Sequence, residues 1–381
     1  MQQQSLPLPK SNEPKLEGSK QQQDIQHPQK YQQQQFTSNE PNVEESKGVS
    51  SNVQKQKQGS KTYQKTSEDK MKKIISSTPY VTLNNGIKMP QFGLGTYRAT
   101  EGVAEICKRA ISEEGYRAID TATKYDNEAD VGQAIRECLD QGVVKREELF
   151  ITTKLWKSDF ADPEKALRTS LEKLQIDYVD LYLIHWMIPD LRTNEKGEID
   201  FLKVPLHKVW KDMESLVKKG LAKSIGVSNC LVPQLLDILT YCEIKPVLNQ
   251  IEIHPYFNQQ EAIDFHRKLN VHVEAYAPLG NKEFEHRGTK KNLLEDNTIK
   301  QIAEKYNRTP AQIILNWHLQ RGVIVITKTS KGRRLSENID IFDFKLDQSD
   351  MDQINSLNID ARLFDPLRMD KSGFENVPYF N

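Results

Sequence analysis

The feature of this sequence that most constrains its fold is a regular alternation, from Tyr80 onward, of short apolar runs with longer segments of helical character. The longer segments place apolar residues three or four positions apart, whereas the short runs are rich in Val, Ile and Leu. Strands separated by helices run parallel, because each helix carries the chain back to the same edge of the sheet. The candidate strands are Phe92–Thr96, Ala118–Asp120, Leu149–Thr153, Val179–Ile184, Ser224–Val227, Val247–Ile251, Val271–Tyr276 and Val323–Thr327.

Two α/β architectures accommodate this pattern, a closed barrel and an open doubly wound sheet. A doubly wound dinucleotide-binding sheet carries G-x-G-x-x-G after its first strand. The first candidate strand here contains only Gly93-Leu94-Gly95, without the third glycine. We therefore predict a (β/α)8 TIM barrel. It is preceded by a β-hairpin, with strands Tyr80–Leu83 and Ile87–Met89 around the turn Asn84-Asn85-Gly86.

The segment before the barrel has a different composition. Residues 1–77 contain the runs Gln2–Gln4, Gln21–Gln23 and Gln32–Gln35 and few large apolar residues. Such a segment cannot bury enough apolar surface to offset the entropy of ordering it. We predict a disordered tail over residues 1–77 and a barrel domain over 78–381. The tail is interpreted as a passive extension, with weak self-association or partner binding as the alternative.

Charge and cysteine content exclude several classes of protein. The 53 basic and 53 acidic residues balance, which argues against nucleic acid or an anionic membrane as a partner. No apolar run is long enough to span a bilayer, and the N-terminus lacks the apolar core of a secretory signal. The four cysteines lack metal-ligand spacing. We expect a cytoplasmic protein with reduced thiols and no metal, acting as a monomer or, alternatively, a dimer.

Polar residues stand at the ends of three consecutive candidate strands. The second strand ends at Asp120, the third leads into Lys154 and the fourth into His185, while Tyr125 follows the second by a short loop. Each residue type alone more often has a structural role. However, active sites of such barrels lie at the carboxyl ends of the strands, and neighbouring strands are about 4.8 Å apart. The sequence thus predicts one pocket that contains all four side chains.

These four groups suit protonation of a carbonyl oxygen. A tyrosine has an unperturbed pKa of about 10, so it is a weak acid at neutral pH. A neighbouring ammonium favours the phenolate, and we expect Lys154 to lower the pKa of Tyr125 and make it a better proton donor. Asp120 is expected to pair with Lys154. A neutral His185 is expected to hydrogen-bond the carbonyl oxygen and orient it.

Several segments resemble signatures of the aldo-keto reductase family, in that family's order. They are Gly115–Ala122, Tyr125–Glu128, Val131-Gly132, Leu183–Trp186, Ser224–Asn229 and Ile324–Ser330. The resemblance extends from about Tyr80 to the C-terminus. It implies a barrel oxidoreductase of aldehydes or ketones whose catalytic tetrad is Asp120, Tyr125, Lys154 and His185.

The resemblance also implies a nicotinamide cofactor that extends across the barrel mouth. It assigns the carboxamide to Ser228, Asn229 and Gln250, and the nicotinamide ring to the face of Tyr276. The other positions that it assigns to the cofactor are Gly95, Thr96, Tyr97, Asp120, Ala277, Leu279, Gly280, Lys328, Thr329, Ser330, Arg334, Glu337 and Asn338.

Within this set, Lys328, Thr329 and Arg334 correspond to the grip on the 2′-phosphate, and Glu337 and Asn338 to adenine. A lysine and an arginine beside one phosphate favour NADPH over NADH. The alternative interpretation is a solvated basic cluster.

The substrate pocket is expected to have aromatic walls formed by Tyr97, Trp156 and Trp186, beside His185. Residues 189–205, 281–293 and the segment from Arg362 onward are expected to set specificity, since loops vary most among barrel enzymes. Loop segments similar to xylose and aldose reductases favour a sugar or small aldehyde. The alternative function is a cofactor-binding regulatory subunit of the same fold with little turnover.

Overall fold

The described part of the chain consists of strands and helices in alternation. The computed structural model describes residues 69–280, 292–368, 374 and 377–380. The strands are β1 (Tyr80–Thr82), β2 (Lys88–Pro90), β3 (Phe92–Gly95), β4 (Ala118–Asp120), β5 (Phe150–Leu155), β6 (Val179–Ile184), β7 (Leu191–Thr193), β8 (Ile199–Phe201), β9 (Ala222–Ser228), β10 (Leu248–Glu252), β11 (His272–Tyr276) and β12 (Ile324–Lys328).

The helices lie between and after these strands. They are α1 (residues 69–77), α2 (Val103–Ser112), α3 (Glu128–Asp140), α4 (Pro163–Leu174), α5 (Leu206–Lys218), α6 (Val232–Tyr241), α7 (Gln260–Lys268), α8 (Asn297–Tyr306), α9 (Pro310–Gln320), α10 (Gly332–Ile339) and α11 (Gln348–Asn355).

Eight parallel strands form a closed barrel in the order β3-β4-β5-β6-β9-β10-β11-β12. The barrel closes where β12 pairs with β3, with Lys328 opposite Gly95, and Gly95 also lies opposite Asp120 of β4. The predicted TIM barrel is therefore confirmed, and each candidate strand overlaps one barrel strand. The carboxyl ends of β4, β5 and β6 are adjacent, which places the residues that follow them at one mouth.

The hairpin predicted before the barrel covers the opposite mouth. β1 and β2 pair antiparallel, and Leu83 and Met89 are buried in one cluster with residues that begin barrel strands, such as Ala118 and Leu248. Asn85 in the turn donates a hydrogen bond to Ser224 Oγ (2.9 Å). Because apolar side chains fill this end, the polar lumen faces only the carboxyl ends of the strands.

The paired glycines of β3 have a packing role. A Cβ on Gly93 would lie 2.7 Å from Ile326 Cδ1 and 2.9 Å from Ala118 Cβ, and one on Gly95 would lie 2.7 Å from Ile326 Cγ2. Side chains of neighbouring strands thus occupy the space that a larger residue would need. Gly93-Leu94-Gly95 is therefore explained by close packing of the barrel wall.

Residues 69–77 correct the predicted extent of the tail. They form α1, in which Ile74 is buried against the main hydrophobic core. Gly115 has φ +80° and approaches α1 so closely that a Cβ would lie 3.1 Å from Ile75 Cγ1. The prediction of disorder was wrong for this stretch, because a few apolar residues with a tertiary partner suffice to order one short helix. Residues 1–68 lie outside the described residues, and disorder there stays a prediction.

The predicted specificity loop of residues 189–205 contains an additional hairpin. β7 and β8 pair antiparallel, with Leu191 opposite Phe201. The stretch is mostly polar and its strands are three residues long. The sequence therefore shows no alternation of apolar and polar residues from which β7 and β8 could be predicted. Most of the second predicted loop lies outside the described residues, which resume at Asn292.

Two further findings concern helices and thiols. Among the described residues, no helix combines the length and apolar character needed to cross a membrane. Cys107, Cys138, Cys230 and Cys242 are free thiols, and the first three are buried.

Candidate active site

The predicted tetrad converges at the carboxyl ends of β4, β5 and β6. Lys154, fully buried on β5, donates hydrogen bonds from Nζ to both carboxylate oxygens of Asp120, at 2.7 and 2.8 Å. The same ammonium donates to Thr121 O (2.9 Å) and to the hydroxyl oxygen of Tyr125 (3.2 Å). Tyr125 ends a short 3-10 turn, Thr123–Tyr125, directly after β4. Strand order therefore brings an acid, a lysine and a phenol into one hydrogen-bonded chain.

The pKa of Tyr125 shifts in the direction opposite to the one expected from sequence. Burial, and secondly the negative charge of Asp120, raise the pKa of Tyr125 well above its usual value. The carboxylate of Asp120 lies against the ammonium of Lys154 and offsets its charge, so burial dominates. Tyr125 consequently holds its proton at neutral pH, as a proton donor must. The hydrogen bond from Lys154 Nζ to the Tyr125 oxygen would stabilise a phenolate at this position.

His185 follows β6 and faces the Tyr125 ring, with ring centroids 5.6 Å apart. Burial, and secondly the charge of Lys154, lower the pKa of His185 well below its usual value. The imidazole is therefore neutral at neutral pH, as expected from sequence. Its Nδ1 is buried without a hydrogen-bond partner among the described residues.

Four residues predicted to hold the nicotinamide ring come together at the ends of β9, β10 and β11. The Tyr276 hydroxyl donates to Asn229 Oδ1 (2.8 Å), Asn229 Nδ2 donates to Ser228 Oγ (3.2 Å), and Ser228 Oγ donates to Gln250 O (3.0 Å). Gln250 Nε2 donates to Asp120 Oδ2 at 2.9 Å, which joins this group to the tetrad. An aromatic ring beside amide and hydroxyl groups fits a planar carboxamide-bearing ring.

Backbone conformation marks the same strand ends. Asn229 and Ala277 have φ of 53° and 49°, in the left-handed region. A non-glycine residue there costs on the order of 1–3 kcal/mol and is typical of functional sites. The next turn is closed by Gly280 N, which donates to Ala277 O (2.9 Å), with Leu279 between them. The two strained residues, Asn229 and Ala277, directly follow β9 and β11 and are both predicted cofactor positions, which agrees with a ligand-binding role.

The segment after β3 lies against the tetrad. Thr96 is buried, and its Oγ1 donates to Asp120 O (3.1 Å). Asn127 Nδ2 donates to Thr96 O (2.9 Å) and Ala99 O (3.0 Å), and thereby holds the loop that carries Tyr97. Asn127 was not singled out from sequence, although its buried amide at the start of α3 organises this edge of the site.

The basic cluster, residues 328–334, begins at the last residue of β12. Lys328 and Arg334 are exposed, and neither forms an ion pair with any described carboxylate. Thr329 is buried, with its Oγ1 accepting from Lys331 N at 3.0 Å, while Ser330 is exposed. The predicted adenine positions lie on α10, where Glu337 is half-buried and Asn338 is buried. Two cations without acidic partners are available to an anionic ligand.

Aromatic side chains form the rim of the site. The Tyr97 ring lies 5.1 Å from that of Tyr125, and the Trp156 ring lies 5.2 Å from that of His185. Phe364 contacts Tyr276 and Tyr97, at ring distances of 5.4 and 6.0 Å. The sequence predicted the segment that carries Phe364 but not this residue.

Trp186 is placed differently from the expected wall residue. Only 4% of it is exposed, and its ring packs against Phe374 (4.8 Å) and Tyr379 (5.6 Å) of the C-terminal segment. Phe374 also lies 6.0 Å from Trp156. Trp186 thus packs against the C-terminal segment and supports it. A direct contact between Trp186 and substrate stays a prediction.

Two buried glutamates near the site were missed from sequence. Glu274 lies in the middle of β11 and Glu252 at the end of β10, and both are fully buried. The sequence signal that could have found them is an acid within, or directly after, a segment predicted as a barrel strand, because a buried acid is rare without a partner. No group of three or more His, Cys, Asp or Glu side chains suited to a metal occurs in the described part of the chain.

Comparisons with known proteins agree with this geometry. The pattern described as "Aldo/keto reductase family" matches residues 89–359. Glyoxal reductase of Bacillus subtilis is 43% identical over 287 residues, 74% of this chain and 94% of that relative. The NADH-dependent D-xylose reductase of Candida parapsilosis is 37% identical over 325 residues, 80% of this chain and 98% of that protein. The structure of the aldose reductase from Schistosoma japonicum matches with a TM-score of 0.70 at 38% identity, covering 75% of this chain and 94% of that one.

Proposed function

Since the chain belongs to the aldo/keto reductase family, we propose that it reduces an aldehyde or ketone to the alcohol, with Tyr125 as proton donor and NADPH as reductant. The observation that carries the proposal is the hydrogen-bonded chain from Asp120 through Lys154 to Tyr125. We propose a sugar or small aldehyde as substrate, because relatives are named glyoxal and D-xylose reductases.

The preference for NADPH is supported by charge. Lys328 and Arg334 lie at the end of β12 and the start of α10 without acidic partners in the described residues, so a 2′-phosphate would gain two charge-assisted contacts. A D-xylose reductase among the relatives is named as NADH-dependent. The preference therefore needs a direct measurement, with Lys328 and Arg334 as the residues to test.

The chain's own groups account for protonation. NADPH, when bound, supplies a hydride to the carbonyl carbon. Tyr125 transfers its hydroxyl proton to the carbonyl oxygen, and Lys154 stabilises the resulting phenolate through the contact to its oxygen. A neutral His185 donates a hydrogen bond to the same carbonyl oxygen and orients it. The Tyr97 ring lies beside the Tyr125 ring and contacts Phe364, so these two rings would limit the access of water to the reacting atoms.

The test is NADPH oxidation by the full chain over a panel that includes glyoxal, glyceraldehyde and xylose. We expect turnover with at least one of these, and NADPH to exceed NADH in kcat/KM. Tyr125→Phe is expected to lower kcat by about 10²–10⁴-fold and to leave NADPH binding intact. Tight NADPH binding with negligible turnover on every aldehyde would instead favour a regulatory subunit.

We further propose that the enzyme acts as a cytoplasmic monomer with a passive tail. The proposal is supported by the tetrad, whose four residues all come from one chain, so no second copy is required. Removing residues 1–68 should leave kcat unchanged. In size-exclusion chromatography the truncated protein should elute at the volume expected for a monomer of its own mass. A large loss of turnover on truncation would contradict a passive tail.

A further inference from the structure

Glu274 is a buried acid in the lumen that the proposed chemistry does not use. Its side chain is fully buried, and its Oε2 accepts a hydrogen bond from Gln250 Nε2 at 2.7 Å. The same nitrogen donates to Asp120 Oδ2 at 2.9 Å. One amide group thus uses both of its hydrogens to join two carboxyl groups from opposite sides of the barrel. With both hydrogens committed, Gln250 can offer a ligand only its carbonyl oxygen.

Among the described residues, Lys154 is the one cation that acts on Glu274, and it also pairs with Asp120. Lys154 pairs with Asp120 at 2.7 Å, so an ionised Glu274 would be a buried charge without a cation of its own. The Oε1 atom of Glu274 is buried and has no hydrogen-bond partner among the described residues. The charge balance therefore favours a protonated Glu274 in the resting site.

The groups that face Glu274 come from several elements. They are Asp120 on β4, Lys154 on β5 and Tyr125 in the turn after β4; its strand neighbours, Gln250 on β10 and Ile324 on β12, are neutral. Burial, and secondly Asp120, raise the pKa of Glu274 to about 8, against a smaller lowering by Gln250 and Lys154. A negative Glu274 also raises the pKa of Tyr125.

We propose that Glu274 is a positioning residue: as a neutral acid it holds the Gln250 amide together with Asp120, and its ionisation at alkaline pH switches the site to a less active state. The proposal rests on the proposed function and adds a residue and a regulation to it. Ionisation places a second carboxylate in the network of Lys154 and makes Tyr125 a weaker acid. Turnover in the direction of reduction therefore falls as pH rises.

The decisive experiment is the pH profile of kcat for the full chain and for Glu274→Gln, with NADPH saturating. Glutamine keeps the oxygen that accepts from Gln250 but cannot ionise. Wild type is expected to lose activity with an apparent pKa near 8. Glu274→Gln should keep kcat within about twofold at neutral pH and lose this alkaline limb. An unchanged alkaline limb in Glu274→Gln overturns the proposal.

Two further variants separate positioning from simple structural damage. Glu274→Met removes both the charge and the hydrogen bond, so it should also lack the alkaline limb but bind NADPH about tenfold more weakly, since the Gln250 amide is released. Glu214→Gln, a buried carboxylate on α5, is the matched control and should keep the wild-type limb. Equal NADPH affinity in Glu274→Met and Glu274→Gln would overturn the positioning role.

A binding readout keeps this test independent of the substrate. The Kd of NADPH is measured by protein fluorescence on both sides of the expected transition. Wild type should bind NADPH more weakly on the alkaline side, because ionised Glu274 adds a negative charge near the proposed site of an anionic cofactor, whereas Glu274→Gln should show no such change. If no aldehyde is reduced but this difference is observed, the proposed function fails and the role of Glu274 stands; if both proteins respond alike, Glu274 has no such role.

Discussion

The lumen of the site and its rim differ in the residues that form them and in the contacts between those residues. In the lumen, Asp120, Lys154 and Gln250 lie on strands and are joined by hydrogen bonds of 2.7 to 2.9 Å. At the rim, Tyr97 and Phe364 lie on loops and meet at a ring distance of 6.0 Å. Buried charges require a partner for each polar atom, while aromatic walls require only shape. The lumen therefore tolerates little change, and the rim can vary with substrate.

The two regions are connected at defined points. The buried carboxylate of Glu252 accepts from Leu363 N (2.6 Å) and Phe364 N (2.8 Å), so the end of β10 holds the C-terminal segment in place. Fully buried Lys157 pairs with Asp190 at 2.9 Å and connects the loop after β5 to the loop that contains β7 and β8. Glu252 on β10 and Lys157 in the loop after β5 thus set the position of the rim through a few buried polar contacts.

The largest effect is expected in the lumen. Lys154→Met leaves the Asp120 carboxylate buried without its cation, which costs about 3–5 kcal/mol, and removes the donor to Tyr125. Thermal unfolding should show a lower Tm, and kcat should fall by about 10²–10⁴-fold. Adding Asp120→Asn should recover much of the Tm but not kcat. Recovery of kcat in the double variant would contradict a chemical role for the lysine.

An intermediate effect is expected where rim and lumen are joined. Glu252→Gln replaces two charge-assisted hydrogen bonds to the segment that carries Phe364 with weaker or missing ones, at a cost of about 1.5–3 kcal/mol. We expect the KM for aldehyde to rise about tenfold, with kcat changed less than about threefold. Steady-state kinetics measures this split. A loss of kcat comparable to that of Lys154→Met would erase the distinction between the two regions.

The smallest effect is expected at the outer support of the rim. The buried hydroxyl oxygen of Tyr379 lies 2.7 Å from both Asn229 O and Gln234 Oε1, and its one hydrogen is shared between these two acceptors. Tyr379→Phe should lower stability by about 1–2 kcal/mol and raise the KM of NADPH only slightly, through Asn229. Tyr182→Phe is the matched control, since its buried hydroxyl lacks a hydrogen-bond partner in the described residues. Equal Tm changes in the two variants would show that the Tyr379 contacts contribute nothing.

Much of the fold was predictable because its signals are local. One example is the start of α4, where Asp162 stands before Pro163, a typical helix start, and accepts a hydrogen bond from Lys165 N at 3.0 Å. The polar residues after β4, β5 and β6 were predicted to meet because parallel strand order alone brings them together. α1 was missed, since its order depends on a distant partner at Gly115.

The electrostatics of the site were less predictable. Lys154 was expected to lower the pKa of Tyr125, but the pKa is raised, because burial outweighs an ammonium that Asp120 already offsets. Glu274 was visible as an acid within a predicted strand, yet nothing local shows that it meets Gln250. Such effects depend on the distances between all charges at once, and the sequence contains no distances.

The alternation of strands and helices can be read from the sequence alone, and with it a barrel whose strand ends carry Asp120, Lys154 and His185. This follows from periodicity and chain direction, which act over a few residues. Three features emerge only from the folded chain: which carboxyl group pairs with Lys154, in which direction the pKa of Tyr125 shifts, and that Gln250 joins Glu274 to Asp120. Those outcomes depend on burial and on contacts between residues more than a hundred positions apart, such as Gln250 and Asp120.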